Sequence, residues 1–93
     1  MAITRINQFE ARAGEGEKLH AFLRSVITTI EACKGCLSVR LLRSAEQAER
    51  LAIIEEWESI EAHQAAASAI RKEQMAEAVA LFAAPPSGMY YRD

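Results

Sequence analysis

Ile53-Ile54-Glu55-Glu56-Trp57-Glu58-Ser59-Ile60-Glu61-Ala62-His63 is the stretch where the chain changes from one backbone period to another. An apolar β-branched pair, suited to a pleated strand, leads into a strand-ending tryptophan. Ser59 then offers a side-chain oxygen to cap a helix N-terminus. His63 lies about one helical turn further on. The stretch reads as a strand running directly into a helix, and it holds the only Trp and one of the 2 His residues.

The upstream sequence supplies the elements that this stretch must pack against. In residues 2–10, Ile3, Arg5, Asn7 and Phe9 share one strand face, and Thr4, Ile6 and Gln8 share the other. Gly14 and Gly16 break the chain, and Glu15 and Glu17 suit the positive end of a following helix. From Lys18 the spacing becomes helical. Leu19, Phe22, Leu23, Val26, Ile27 and Ile30 form a one-sided apolar stripe, and Gly35 suits the left-handed residue that ends such a helix. Residues 36–43 return to period two, with Leu37, Val39 and Leu41 predicted on one face.

Ser44 to Glu49 is a polar, hairpin-like connection to a strand over 50–58. The helix capped by Ser59 is expected over Ile60 to about Ala67. Ser68 is a candidate cap for a second helical piece, in which Met75, Ala78, Val79 and Phe82 repeat at helical spacing. Pro85-Pro86 stops it, and Gly88 to Arg92 makes a last short strand. The order is β-α-β-β-α-β, which predicts an α+β fold of ferredoxin-like type with an antiparallel sheet, in one domain spanning residues 1–93. Leu41-Leu42, Ile53-Ile54 and Tyr90-Tyr91 place large side chains on both sheet faces. Helices cover one face, so a second copy of the chain is expected on the other, as a homodimer.

Composition excludes several function classes. A net charge of −2 with 11 scattered basic residues does not make a nucleic-acid surface. No apolar run approaches a membrane span, and the N-terminus has no charged region followed by an apolar stretch, so a cytoplasmic protein is expected. Cys33-Lys34-Gly35-Cys36 is a C-x-x-C that closes a helix rather than opening one. There the helix dipole opposes thiolate formation. Zinc would need two further ligands, and neither His has a fitting spacing. The expectation is no redox or metal role.

Three pieces of the chain resemble the antibiotic biosynthesis monooxygenase (ABM) family, which includes the small quinol monooxygenases. They are the first strand with its glycine-containing turn, Lys34-Gly35-Cys36-Leu37-Ser38-Val39, and Glu55-Glu56-Trp57-Glu58-Ser59-Ile60-Glu61-Ala62-His63. The resemblance implies a dimeric α+β barrel in which each subunit keeps a pocket between sheet and helices. It further implies oxidation of a small quinol, anthrone or polyphenol by O2 without metal, flavin or haem. Trp57, Phe9 and Phe22 would contact the aromatic substrate, with the Trp57 indole N–H as a donor. Asn7 and His63 would hold or deprotonate its hydroxyl. The chain departs from the family pattern at Ala66, where many relatives carry a histidine. His63 is one turn away on roughly the same side, displaced about 5 Å along the helix. That departure keeps open a second function, a non-catalytic barrel binding a small hydrophobic ligand.

Two further readings bear on the site. A haem-degrading branch of the superfamily has a first-strand asparagine mirrored by Asn7. It also needs a helical Trp, which this chain lacks, and a second-helix His other than His63. Arg5 and Arg40 are expected to form ion pairs with Glu55 and Glu56, and His20 to face solvent.

Overall fold

The computed structural model describes residues 2–68 and 72–93. The chain runs β1 (Ile3–Glu10), α1 (Gly16–Glu31), β2 (Cys36–Arg43), β3 (Arg50–Trp57), α2 (Ile60–Ala67), α3 (Lys72–Leu81) and β4 (Ser87–Tyr91). The four strands form one antiparallel sheet in the order β2-β3-β1-β4. This is the ferredoxin-like α+β fold that the order of periods predicts.

Period two sets which side chains meet the helices. Ile3 pairs with Trp57, Arg5 with Glu55, Asn7 with Ile53 and Phe9 with Leu51, so one face of β1 and β3 turns toward α1 as a unit. Leu19, Leu23, Val26 and Ile30 of α1 are buried against that face. Two groups of core residues result. One joins Leu19, Leu23, Leu51, Ile53 and Phe82; the other joins Ile3, Val26, Ile30 and Trp57.

Two local details depart from the sequence reading. A bulge between Cys36 and Ser38 shifts the β2–β3 register, so Cys36 opposes Trp57 and Leu37 is left 54% exposed, off the face shared by Val39 and Leu41. Ser68 closes α2, with its hydroxyl donating to the Ala65 carbonyl at 2.7 Å. The join into α3, and with it the expected cap at Ser68, lies outside the described residues. Ala78 of α3 and Phe82 just after it are buried, but Val79 is 60% exposed because it sits at the edge of their stripe.

Two junctions fix the helices around the site. Gly35, at φ +90°, turns the chain out of α1, and a Cβ there would stand 2.7 Å from the Ala62 Cβ of α2. Ser59 caps α2 as its sequence position suggests, with Oγ accepting the Ala62 N–H at 3.1 Å. At the far end, Arg12 donates from Nε to the Phe82 carbonyl at 3.0 Å, tying the end of α3 to the loop after β1.

Candidate functional site

The space between the helix-covered sheet face and α1, α2 and α3 holds a cavity of about 180 Å³. Asn7, Phe9, Phe22, Trp57 and His63, the five residues expected at a site, all line it, and Ala66 does too. Parity explains the strand members, because Asn7 and Phe9 lie on the inward face of β1 and Trp57 on that of β3. Helical spacing explains the rest. His63 and Ala66 are three residues apart on α2 and face the same space. Apart from Asn7, Glu55 and His63, the lining consists of apolar and aromatic side chains.

Those three polar residues form one end of the cavity, and Glu55 is its centre. Glu55 is 3% exposed. Its Oε1 accepts the Trp57 indole N–H at 2.8 Å, and its Oε2 accepts the Asn7 amide at 2.9 Å. The Asn7 amide has a defined orientation, because Oδ1 accepts from Arg5 Nε at 2.9 Å and Nδ2 must then face the carboxylate. The Arg5 guanidinium lies 4.6 Å from the centre of the Tyr90 ring. Tyr90 Oη is 2.6 Å from His63 Nδ1, and His63 Nε2 is 3.7 Å from Glu55 Oε1. The imidazole also packs edge-on against both Trp57 and Tyr90.

Burial moves the two titrating groups toward each other. Loss of water pushes the Glu55 carboxyl above its ordinary value, and the Trp57 N–H, the Arg5 charge and the Asn7 amide oppose this only in part. His63 is pushed below its ordinary value, first by burial and then by the Arg5 charge. A carboxyl that ionises late and an imidazole that protonates late stand side by side at a cavity wall. Such a pair is equipped to exchange protons with a bound hydroxyl.

Several expectations are corrected here. The Trp57 N–H is not available to a ligand, because Glu55 takes it. Arg5 does not pair directly with a carboxylate; it bonds Asn7 and stacks on Tyr90, reaching Glu55 through the amide. Arg40, opposite Ile54, lies on the sheet face away from the helices. His20 is half-buried on α1 instead of facing solvent, and it does not line the cavity. Glu55 and Tyr90 are the site residues that the sequence reading passed over. Parity with Ile53 and Trp57 was the available signal for Glu55. For Tyr90, 27 residues from His63 along the chain, there was none.

Both cysteines are free; Cys33 donates to the Thr29 carbonyl at 3.3 Å, and burial together with the nearby Glu55 charge raises the Cys36 thiol. Among the described residues no group of three or more His, Cys, Asp or Glu is placed to hold a metal ion. No helix there is long and apolar enough to cross a membrane.

The sequence pattern of the antibiotic biosynthesis monooxygenase family matches residues 2–81. The chain belongs to that family. Among curated relatives, this ABM chain is similar to the mycobilin-producing heme oxygenase of Mycobacterium tuberculosis. The two are 35% identical over 65 residues, which is 70% of this chain and 62% of that protein. The match therefore covers less than two thirds of the relative's length. Among solved structures, a conserved Methanosarcina mazei protein superposes with a TM-score of 0.89 at 17% identity, covering 100% of this chain and 93% of that one. SnoaB, a cofactor-independent oxygenase of Streptomyces nogalater, superposes with a TM-score of 0.83 at 15% identity, covering 99% and 92%. At such identities the structural matches speak for the fold alone.

Proposed function

We propose that this ABM protein oxidises a small hydroxylated aromatic compound, a quinol or related phenol, with O2. The observation that carries the reading is an apolar cavity with one polar end, made by Asn7, Glu55 and His63. Flat aromatic walls suit a ring, and the polar end suits one hydroxyl on it. An apolar cavity of roughly 150 Å³ admits benzene, and sites enclosing drug-sized ligands measure about 300–1,000 Å³. A volume near 180 Å³ favours one ring or a compact pair. An electron-rich phenol, once deprotonated, passes an electron to O2 by its own chemistry. The protein contributes exclusion of water and stabilisation of the anion.

The relative named for haem raises haem as the alternative substrate. The cavity volume and the engagement of His63 Nδ1 by Tyr90 favour the smaller ring. A second reading, a barrel that binds a small hydrophobic ligand without turning it over, draws support from Ala66, which leaves the wall without a second imidazole.

The same reading includes assembly. Ile6, Leu42, Ile54, Met89 and Tyr91 share the sheet face away from the helices, and Met89 and Tyr91 are 61% and 46% exposed. Pairing of that face with a second copy would cover it. The test of function is oxygen uptake with hydroquinones and anthrones in the presence of a metal chelator. Turnover that His63→Ala and Asn7→Ala each lower about a hundredfold supports the oxygenase. Tight binding of such rings without oxygen uptake supports the binder.

A further inference from the structure

The residue suited by sequence to act as base is His63, but one of its two ring nitrogens is taken. Nδ1 meets Tyr90 Oη at 2.6 Å, while Nε2 stands 3.7 Å from Glu55 Oε1, beyond hydrogen-bond range. The carboxylate between His63 and Asn7 is differently placed. It lines the cavity, and a carboxylate offers about four acceptor directions. Two are filled, by Trp57 and Asn7, and both donors are neutral N–H groups that fix its plane without supplying a proton. We propose that Glu55 is the catalytic base of this site, taking the proton of the bound substrate's hydroxyl, and that His63 and Tyr90 are positioning residues that carry the proton onward. The inference rests on the small-phenol reading above and names the group that acts in it.

The step balances as a proton transfer. The substrate O–H bond breaks, its electron pair stays on oxygen, and the proton forms an O–H bond on Glu55. Glu55 then gives that proton to His63 Nε2 as the 3.7 Å gap closes to hydrogen-bond range. Catalytic contacts are commonly long before substrate is bound. Nδ1 passes its own proton to Tyr90 Oη, and the tyrosine releases its hydroxyl hydrogen to water. The imidazole is left as its other tautomer, and return of a proton along the same path resets it. Asn7 keeps one amide hydrogen beyond the one given to Glu55, a donor for the new phenolate oxygen. The charged and titrating groups around Glu55 are Arg5 on β1, His63 on α2 and Cys36 on β2, with Tyr90 on β4 acting through His63. The α1 side of the same cavity is apolar, with Val26 and Ile30 in its wall. The late ionisation of Glu55 and the late protonation of His63 bring their proton affinities together, as a relay requires.

The test is a binding experiment with para-nitrophenol, whose absorption distinguishes phenol from phenolate, at a pH where the free compound is mostly un-ionised. Wild-type protein is expected to produce the phenolate band on binding. Glu55→Gln is expected to bind the compound without the band, and Glu55→Asp, a second variant should the first fail to fold, to give a weaker one. In His63→Gln and Tyr90→Phe the band should still form, but at least about tenfold more slowly in stopped flow. A band that survives Glu55→Gln and disappears in His63→Gln overturns the assignment in favour of the histidine. Binding to wild type without ionisation overturns the base assignment while leaving a phenol site. No binding at all overturns the small-phenol reading and the proposal with it.

Discussion

Trp57 shows how one side chain serves both core and site. It is 1% exposed and belongs to a core group with Ile3, Val26 and Ile30, yet its indole N–H orients Glu55. Trp57→Ala is expected to lower stability by about 3–5 kcal/mol, read from denaturant unfolding, because it leaves a large void. Trp57→Phe, which keeps most of the volume and removes the donor, should cost less stability and still depress turnover. Glu55 makes a prediction about pH. Burial raises its folded-state pKa above the ordinary 4.5, so between 4.5 and the raised value the unfolded chain loses the proton first. Stability therefore falls as pH rises through that window. The unfolding free energy of wild type minus that of Glu55→Gln should decline with rising pH above 4.5 and level off below it, as chemical melts across pH would show. A difference that climbs with pH would mean that the hydrogen bonds to Glu55 outweigh its burial.

Among the elements, two glycines place the site. Gly35 holds φ +90° with Ala62 of α2 against it, so Gly35→Ala meets both a left-handed backbone and a clash. The backbone part alone costs about 1–2 kcal/mol. The expected result is a lower denaturant midpoint by at least that equivalent, together with a displaced α2 and hence a displaced His63. Gly88 of β4 lies opposite Asn7, where a Cβ would overlap the Arg5 guanidinium and the Asn7 amide oxygen. These are movable side-chain ends, so Gly88→Ala should change the melting temperature little. It should lower turnover, because Asn7 loses the orientation that aims its amide at Glu55. A large loss of stability with full activity in this variant would contradict the arrangement.

For the molecule as a whole, the sheet has one face covered by helices and one carrying Ile6, Leu42, Ile54, Met89 and Tyr91. Native mass spectrometry is expected to find twice the 10.3 kDa chain mass. Ile54→Glu, at the middle of that face, should shift the population to monomer without unfolding it. A wild-type protein that stays at 10.3 kDa would remove the face-to-face assembly from the proposed function.

Much of this was legible along the chain wherever the physics is local. The periods of the Ile53–His63 stretch, the Ser59 cap and the turn at Gly35 depend on neighbours within a few residues, and the sequence by itself determined them. With them came the element order, and so the fold and the inward faces that bring Asn7, Phe9, Phe22, Trp57 and His63 to one cavity. The bulge that exposes Leu37 depends on how two strands register, and no local pattern announces it. The chemistry of the site was decided in the same way. Glu55 becomes the centre only when pairing of β1 with β3 sets Asn7 beside it, and Tyr90 reaches His63 only after β4 joins the far edge of β1. Tertiary structure alone determined which donors the buried carboxylate meets, because hydrogen-bond partners and loss of water are set by groups far apart in sequence.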